Sequence, residues 1–197
     1  PGTVIAAPKD ETELKNRMYT ASLAEEGPFI IRYPRGYGEG TAWKEQPFEV
    51  MEPGKGELLL KGSDIAVIAA GPSANRAVEA ALRMKEETGW NPSIYNIRYI
   101  KPLDKDIMQT VAESYARVIT IEDGCIMGGL YGAVTEYISA GENPIPVRAV
   151  GIPDRYISQG TQEELKEECG LTSGEIYKVL TEEREKFSKK NEKVLEN

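Results

Sequence analysis

The sequence predicts an α/β fold: a doubly wound, mostly parallel sheet with one antiparallel edge strand, preceded by a strand-helix-strand piece of another domain. Short apolar runs alternate with amphipathic helical segments from residue 57 to residue 181, the order that builds parallel sheets covered by helices on both faces. The 197 residues are 40% hydrophobic and 28% charged, which is the composition of a folded globular chain. A chain of this length needs neither a metal ion nor a disulfide bond to hold its core.

Residues 1–36 form the first predicted unit, in the order strand, helix, strand. The apolar run at residues 3–7 is its first strand, and residues 29–33 are its second, which ends at Pro34. Between the strands, Asp10 and Glu13 have the spacing of a helix-capping box. The apolar side chains that share one face of this helix are Leu14, Met18 and Ala21.

Residues 37–56 are the predicted linker, because hydrophobic periodicity disappears there among scattered glycines and prolines. Two apolar runs follow at residues 57–60 and 65–70. The short connection between them, at residues 61–64, predicts an antiparallel hairpin.

Strands and helices alternate through the predicted C-terminal domain at residues 57–181. Further strands are predicted at residues 93–97, 117–121 and 146–150. Helices are predicted where apolar residues recur every three or four positions, namely at Ala74, Ala77, Val78, Ala81 and Leu82, at Ile107, Met108, Val111, Ala112 and Tyr115, and at Leu130, Ala133, Val134, Tyr137 and Ile138.

The C-terminus is predicted to be helical. Thr161 with Glu164, and Thr172 with Glu175, have capping-box spacing. Residues 182–197 contain ten charged side chains and few apolar ones, so we expect a charged helical tail whose end frays.

Composition excludes several classes of function. The net charge of −8 disfavours binding to nucleic acids and anionic membranes, and no apolar run approaches the length of a membrane span, so we expect a cytoplasmic protein. Two cysteines, Cys125 and Cys169, are too few for a disulfide framework or a cysteine-based zinc site. The absence of histidine excludes Ser-His and Cys-His pairs and any histidine-bound metal.

Two turns after predicted strands have the place of ligand-binding loops in open α/β sheets, at residues 71–73 and 124–132. The second contains glycines without dinucleotide-binding spacing, which also fits close packing of a helix on the sheet. Glu122 and Asp123 precede it, but neighbouring side chains on a strand face opposite ways, which disfavours a paired-carboxylate site and favours capping of the turn by one of them. Cys125 fits a small buried side chain equally well.

Arg35 is the candidate binding residue, at the end of the segment Arg32-Tyr33-Pro34-Arg35-Gly36. A guanidinium held where a strand ends can bind phosphate or carboxylate through two hydrogen bonds. The alternative is an ordinary surface arginine in an exposed ion pair.

Five motifs, in this order, resemble those of the 1-deoxy-D-xylulose-5-phosphate synthase family. They are Arg32-Tyr33-Pro34-Arg35-Gly36, Arg98-Tyr99-Ile100-Lys101-Pro102-Leu103-Asp104, Thr120-Ile121-Glu122-Asp123 with Met127-Gly128-Gly129, Gly151-Ile152-Pro153-Asp154, and Gln159-Gly160-Thr161-Gln162-Glu163-Glu164-Leu165. The family usually has Glu-Glu-Asn where this chain has Glu122-Asp123-Gly124. The resemblance covers residues 1 to about 180 and implies the end of a pyrimidine-binding domain followed by a transketolase-type C-terminal domain.

The resemblance implies a function as well as a fold. Enzymes of this family condense pyruvate with glyceraldehyde 3-phosphate, release carbon dioxide and supply precursors of isoprenoids and thiamine. They hold thiamine diphosphate and Mg²⁺ in earlier domains, so the resemblance places no catalytic, cofactor-binding or metal-binding residue in this chain. It assigns Arg35 to the anionic end of a substrate. The implied partners are the remainder of the enzyme chain and a second copy in a homodimer.

Two hypotheses therefore stand. The first is an inactive C-terminal fragment of the synthase that supports the active-site domain and the dimer, and a start at Pro1 instead of Met favours it. The second is a free-standing nucleotide- or regulator-binding α/β module that uses the turns after Ala70 and Ile121.

Overall fold

The computed structural model describes residues 2–24, 27–36, 38 and 41–195, with the backbone alone for residues 42 and 188–195. The parts of the predicted first unit, linker and tail at residues 1, 25, 26, 37, 39, 40, 196 and 197 lie outside the described residues. The strands are β1 (Val4–Ala6), β2 (Phe29–Ile31), β3 (Glu57–Leu60), β4 (Ala66–Ala70), β5 (Ser93–Asn96), β6 (Tyr99–Lys101), β7 (Val118–Cys125) and β8 (Val147–Ile152). The helices are α1 (Glu11–Ser22), α2 (Ser73–Thr88), α3 (Lys105–Ser114), α4 (Leu130–Ser139), α5 (Gln162–Glu168) and α6 (Ser173–Leu195), with a 3₁₀ turn at Ala42–Lys44.

The larger sheet has five strands in the order β3-β5-β4-β7-β8. Every pair in it is parallel except β3 with β5, so the predicted parallel sheet with one antiparallel edge strand is confirmed. One face packs against α2 and α6, and the other against α3 and α4. The sheet is therefore doubly wound, as the sequence predicts.

The predicted hairpin between residues 57–60 and 65–70 is wrong, because β3 pairs with β5 and not with β4. All five residues of β4 are buried and apolar, so this strand needs a partner on each edge and lies between β5 and β7. The connection crosses the start of β5 instead of closing a turn. There the amides of Ser63 and Asp64 donate to the carbonyl of Asn91, at 2.9 and 3.2 Å.

A second sheet joins the N-terminal segment to the rest of the chain. Its order is β2-β1-β6, with β1 parallel to β2 and antiparallel to β6. The sequence pattern did not predict β6, which has three residues and follows Arg98, whose φ of 60° turns the backbone sharply after β5. The strand-helix-strand segment thus shares a sheet with the segment that follows β5.

Helix α1 begins as predicted, with the Asp10 side chain accepting from the amide of Glu13 at 2.8 Å. Its apolar side chains are not the buried ones, since Met18 is 52% exposed. The face turned towards the fold is polar and consists of Glu13, Asn16, Arg17 and Thr20. This burial is possible because polar partners meet that face, including Tyr99, whose hydroxyl lies 2.8 Å from Arg17 Nη1.

The described part of the predicted linker runs along α1. Lys15 Nζ donates to the carbonyls of Trp43 and Gln46, at 2.7 Å each, and the amide of Met51 donates to Thr20 Oγ1 at 2.9 Å. Helix α6 passes the predicted boundary at residues 181 and 182 without interruption. No described helix is long and apolar enough to cross a bilayer.

Candidate functional site

The carboxyl ends of strands from both sheets surround one pocket. Its lining includes Pro8 after β1, Arg35 after β2, Pro72 after β4 and Asp123 within the last part of β7. The volume is about 280 Å³. Carboxyl ends of parallel strands are the usual ligand-binding edge of α/β sheets.

Four basic side chains line this pocket. They are Lys9, Arg35, Arg76 and Lys166, which come from four separate segments of the chain. The acidic side chains of the lining are Asp10, Glu11 and Asp123. A cluster of cations at a concave site favours binding of an anion, and Arg35 supplies the planar guanidinium suited to phosphate.

Arg35 lies on an exposed loop that leaves the smaller sheet. The amide of Arg32 donates to the carbonyl of Ala6 at 2.8 Å, which fixes the loop at its start. The carbonyl of Arg35 accepts a hydrogen bond from the side-chain amide of Gln162. The structure thus places Arg35 in a basic pocket, and its role in binding remains a prediction.

Helix α5 brings Gln162 and Lys166 to the same pocket. The predicted capping box at its start is confirmed: Thr161 Oγ1 accepts from the amide of Glu164, and Glu164 Oε2 accepts from the amide of Thr161 at 2.8 Å. Gln162 and Lys166 are four residues apart and therefore lie on one helical face. No sequence motif marks Lys9, Arg76 or Lys166, so these three side chains were not predicted, and Gln162 stands out in the sequence only as part of a family motif.

Lys9 remains positively charged within a dense polar network. Burial lowers the pKa of Lys9, but the carboxylates of Glu13, Asp10 and Glu57 outweigh this and leave the pKa raised. Glu13 and Glu57 also bind Arg98, each at 2.7 Å. The network connects α1 with β3 and with the turn between β5 and β6, and so fixes one wall of the pocket.

Glu122 and Asp123 face different surroundings, as the strand alternation predicts. Glu122 is 1% exposed and accepts from the amide of Leu130 at 2.6 Å, so it caps α4. It also binds Arg32 Nη2 at 3.1 Å. Asp123 lies in the pocket, 3.9 Å from Arg76 Nη2. The expectation that one of the two caps the following turn is confirmed.

The glycines after β7 allow close packing. A Cβ atom at Gly129 would collide with the carboxylate of Glu122. That carboxylate already accepts the hydrogen bond of the amide at the start of α4, which a nucleotide phosphate would otherwise accept. The structure therefore supports the packing interpretation of this turn over the nucleotide-binding one.

The cysteines form no site among the described residues. Cys125 is exposed, so the alternative of a small buried side chain is wrong. Cys125 is the last residue of β7, beyond the buried part of that strand. Burial raises the pKa of the Cys169 thiol, which disfavours a reactive thiolate. Within the described ranges, no three His, Cys, Asp or Glu side chains are grouped so that they could hold a metal ion.

Comparisons with known proteins agree on one family. Residues 54–176 match the transketolase C-terminal domain. The 1-deoxy-D-xylulose-5-phosphate synthase of Bacteroides thetaiotaomicron is 41% identical over 185 residues, which are 94% of this chain and 28% of that protein. The synthase of Trichormus variabilis is 38% identical over 176 residues, which are 89% of this chain and 28% of that protein. The chain thus spans little more than a quarter of the length of these curated relatives.

A solved structure shows the same fold. A split gene transketolase, described as an inactive β4 tetramer, superposes with a TM-score of 0.74 and 28% sequence identity. The match covers 92% of this chain and 57% of the other chain.

Proposed function

Because this chain belongs to the transketolase C-terminal domain family, we propose that it serves as the C-terminal part of a 1-deoxy-D-xylulose-5-phosphate synthase. The family match covers residues 54–176, whereas the similarity to a synthase extends over 94% of the chain. The segment that carries Arg35 therefore takes part in the similarity to synthases. The reaction is the thiamine-diphosphate-dependent condensation of pyruvate with glyceraldehyde 3-phosphate, with release of carbon dioxide.

The observation that carries this proposal is the basic pocket at the junction of the two sheets. The four cationic side chains outnumber the three acidic ones of the lining, and the planar guanidinium of Arg35 suits a phosphate. We therefore assign Arg35 to the phosphate of glyceraldehyde 3-phosphate. The other three cations of the pocket each face a carboxylate and contribute less to the positive potential. Binding at the phosphate end positions the aldehyde for reaction.

The proposal places thiamine diphosphate and Mg²⁺ on other parts of the enzyme. A magnesium site needs carboxylate or carbonyl oxygens grouped around one point. The described carboxylates of the pocket do not offer such a group: Asp10 lies 3.1 Å from Lys9 Nζ, and Asp123 faces Arg76. When bound, the cofactor supplies the nucleophilic carbon; this chain's residues orient the substrate's anionic end.

The remainder of the enzyme chain, and a second copy of it, are the proposed partners. Several large apolar side chains around α1 and β2 are exposed. They include Met18, Ile30, Phe48 and Val50, which are 48–64% exposed. A groove of about 240 Å³ beside α1 is lined by Leu14, Trp43 and Phe48, among others. Coverage of these side chains by the rest of the enzyme gives this chain a supporting role in the assembly.

Arg35→Ala in the complete enzyme tests the proposal. Removing one partner of a desolvated charge pair costs on the order of 2–5 kcal/mol, whereas an exposed ion pair contributes roughly 0–1 kcal/mol. We expect kcat/KM to fall by at least about thirtyfold, equivalent to ~2 kcal/mol, with unchanged cofactor affinity and melting temperature. Arg35→Lys should recover only part of the loss, because an ammonium cannot bind at two points.

The matched control is Arg83→Ala, which removes an exposed arginine paired with Glu87 on α2, outside the pocket. A kcat/KM of Arg35→Ala within about threefold of the parent, or a loss explained by unfolding, would show that Arg35 is an ordinary surface arginine with no role in substrate binding.

A further inference from the structure

We infer that Gln162 is a positioning residue for Arg35: the side-chain amide of α5 holds the backbone of the loop that presents the guanidinium to the pocket. The identity of the ligand that Arg35 binds rests on the proposed function, whereas the contact between Gln162 and Arg35 does not. Gln162 acts through Arg35 and need not touch the substrate.

The loop is held from both sides by identified groups. At its start, Arg32 is bonded to β1, and Pro34 restricts the backbone just before Arg35. After Arg35, the amide of Gln162 donates to the Arg35 carbonyl. A Cβ atom at Gly36 would lie 3.1 Å from Gln162 Oε1, so the glycine leaves the amide the room it occupies. These hydrogen bonds hold the backbone before and after the Arg35 side chain.

The position of Gln162 is itself fixed by the start of α5. Thr161 and Glu164 bond to each other's backbone in the capping box, which sets the first helical turn and the direction in which Gln162 leaves it. Further along the helix, Arg155 Nη2 lies 3.1 Å from Glu168. The position of the guanidinium thus depends on a helix of the C-terminal domain that lies far from it in the sequence.

An amide and a carboxylate at position 162 differ in what they can offer the Arg35 carbonyl. Only the amide has an N–H that can donate to a carbonyl oxygen. Gln162→Glu keeps the shape of the side chain but would place a carboxylate oxygen against the carbonyl oxygen. We therefore expect Gln162→Glu to release the loop at least as much as Gln162→Ala does, although the former preserves the volume.

Trypsin provides a direct test in this chain, because it cleaves the bond whose carbonyl accepts from Gln162. Cleavage requires the loop to leave its folded position. Loss of one hydrogen bond should speed cleavage between Arg35 and Gly36 by about fivefold in both Gln162 variants. Cleavage after Lys44 is the internal control, and Gln159→Ala, an exposed glutamine before α5, is the control variant.

A rate at Arg35 within about twofold of the parent in both variants would overturn the positioning role, whatever the substrate of the enzyme. Equal acceleration at Arg35 and Lys44 would also overturn it, because that result indicates general destabilisation. Mass spectrometry of the fragments over time measures both rates, and thermal melting checks that the variants remain folded.

Kinetics of the complete enzyme test the consequence for binding. We expect Gln162→Ala to raise the KM for glyceraldehyde 3-phosphate about fivefold while kcat and the KM for pyruvate change less than about twofold. In the Arg35→Ala background, Gln162→Ala should add nothing, because both changes remove the same interaction.

Three results separate the two proposals. If Arg35→Ala has no kinetic effect while Gln162→Ala still speeds tryptic cleavage, the proposed function fails and the positioning contact stands. If Arg35→Ala impairs the enzyme but Gln162→Ala leaves the KM unchanged, the positioning role in binding is wrong. An additive effect of Gln162→Ala in the Arg35→Ala background would also contradict it.

Discussion

Glu183 is a fully buried carboxylate that holds α6 against the larger sheet. Arg148 Nη1 lies 2.8 Å and Lys186 Nζ 2.7 Å from its carboxylate, and Arg117 binds it as well. Burial raises the pKa of Glu183, but hydrogen bonds from Lys186, Arg148 and Arg117 outweigh this and lower the pKa from 4.5 to about 2. The folded state therefore binds the proton more weakly than the unfolded chain does.

This pKa predicts acid sensitivity in a defined pH range. The ionised carboxylate stabilises the fold fully above about pH 4.5, and the contribution is lost as the pH falls from there towards about 2. Glu183→Gln should lower the free energy of unfolding at pH 7 by roughly 1–3 kcal/mol, because Arg117, Arg148 and Lys186, which are partly exposed, lose a charged hydrogen-bond partner. Urea unfolding across this pH range measures the difference.

The difference between parent and Glu183→Gln should shrink as the pH approaches 2. Glu185→Gln, an exposed position on the same helix, is the control and should change little at any pH. If the difference in free energy of unfolding between parent and variant stays constant from pH 7 to pH 2, the charge of Glu183 contributes nothing to stability.

At the scale of single elements, two glycines at the start of α4 have opposite surroundings. Gly129 precedes its first residue, and a Cβ atom there would collide with Glu122, whereas at Gly132 the same atom would meet nothing within 4 Å. Gly129→Ala should therefore destabilise the protein by roughly 1–3 kcal/mol. Gly132→Ala should stabilise it by up to about 1 kcal/mol, because alanine favours a helix interior.

Thermal or urea unfolding of the two alanine variants checks this prediction, and each variant is the control for the other. If both substitutions are tolerated equally, the glycine before α4 does not serve close packing of Glu122. Ligand binding by the turn after β7 would then again be the better interpretation of its glycines.

Residues 36–56 are the element that we expect a protease to cut first. The described part contains only a single 3₁₀ turn as regular structure, and most of its side chains are exposed. Lys15 nevertheless ties the carbonyls of Trp43 and Gln46 to α1. Lys15→Met should speed chymotryptic cleavage after Trp43 by about severalfold, because the variant loses the hydrogen bonds that hold this segment on α1.

Mass spectrometry of early fragments locates the cuts. First cleavages inside residues 65–150 would show that the predicted domain boundary is wrong. Lys85→Met, at the end of α2 and away from this segment, is the control variant and should leave the cleavage rate after Trp43 unchanged.

At the scale of the whole molecule, we expect this chain alone neither to bind thiamine diphosphate nor to turn over pyruvate. The proposed function places the diphosphate and magnesium sites on other parts of the enzyme. Titration calorimetry with thiamine diphosphate and Mg²⁺ measures this, with the complete enzyme as the positive control. Binding of thiamine diphosphate at low micromolar affinity would contradict the proposal and favour the hypothesis of a free-standing nucleotide-binding module.

Local patterns predicted most of the fold, because strand and helix periodicities are properties of short segments. The N-cap at Asp10 and the capping box at Thr161 marked where two helices begin, and the alternation after residue 57 predicted the sheet type. Partner choice was not predictable in the same way. The hairpin prediction failed because β5, some thirty residues later, inserts between β3 and β4.

The candidate site shows the same division between local and distant information. Arg35 could be proposed from its own segment, since a proline and a glycine flank it at the end of a strand. Lys9, Arg76 and Lys166 were missed because only the folded chain brings them together. The buried polar face of α1 was missed as well, because its partners Arg98 and Tyr99 lie about eighty residues away.

The pairing of β1 with β6 has a consequence for the order of folding. Ile5 pairs with Lys101, so ninety-six positions separate the two partners along the chain. Closing so long a loop costs entropy that few contacts repay early, whereas most partners within the larger sheet are closer in sequence. A chain leaving the ribosome makes β1 long before β6 exists. We therefore expect β1 to gain β6 as its second neighbour only after the segment around β5 has folded, and the Arg35 segment to dock late.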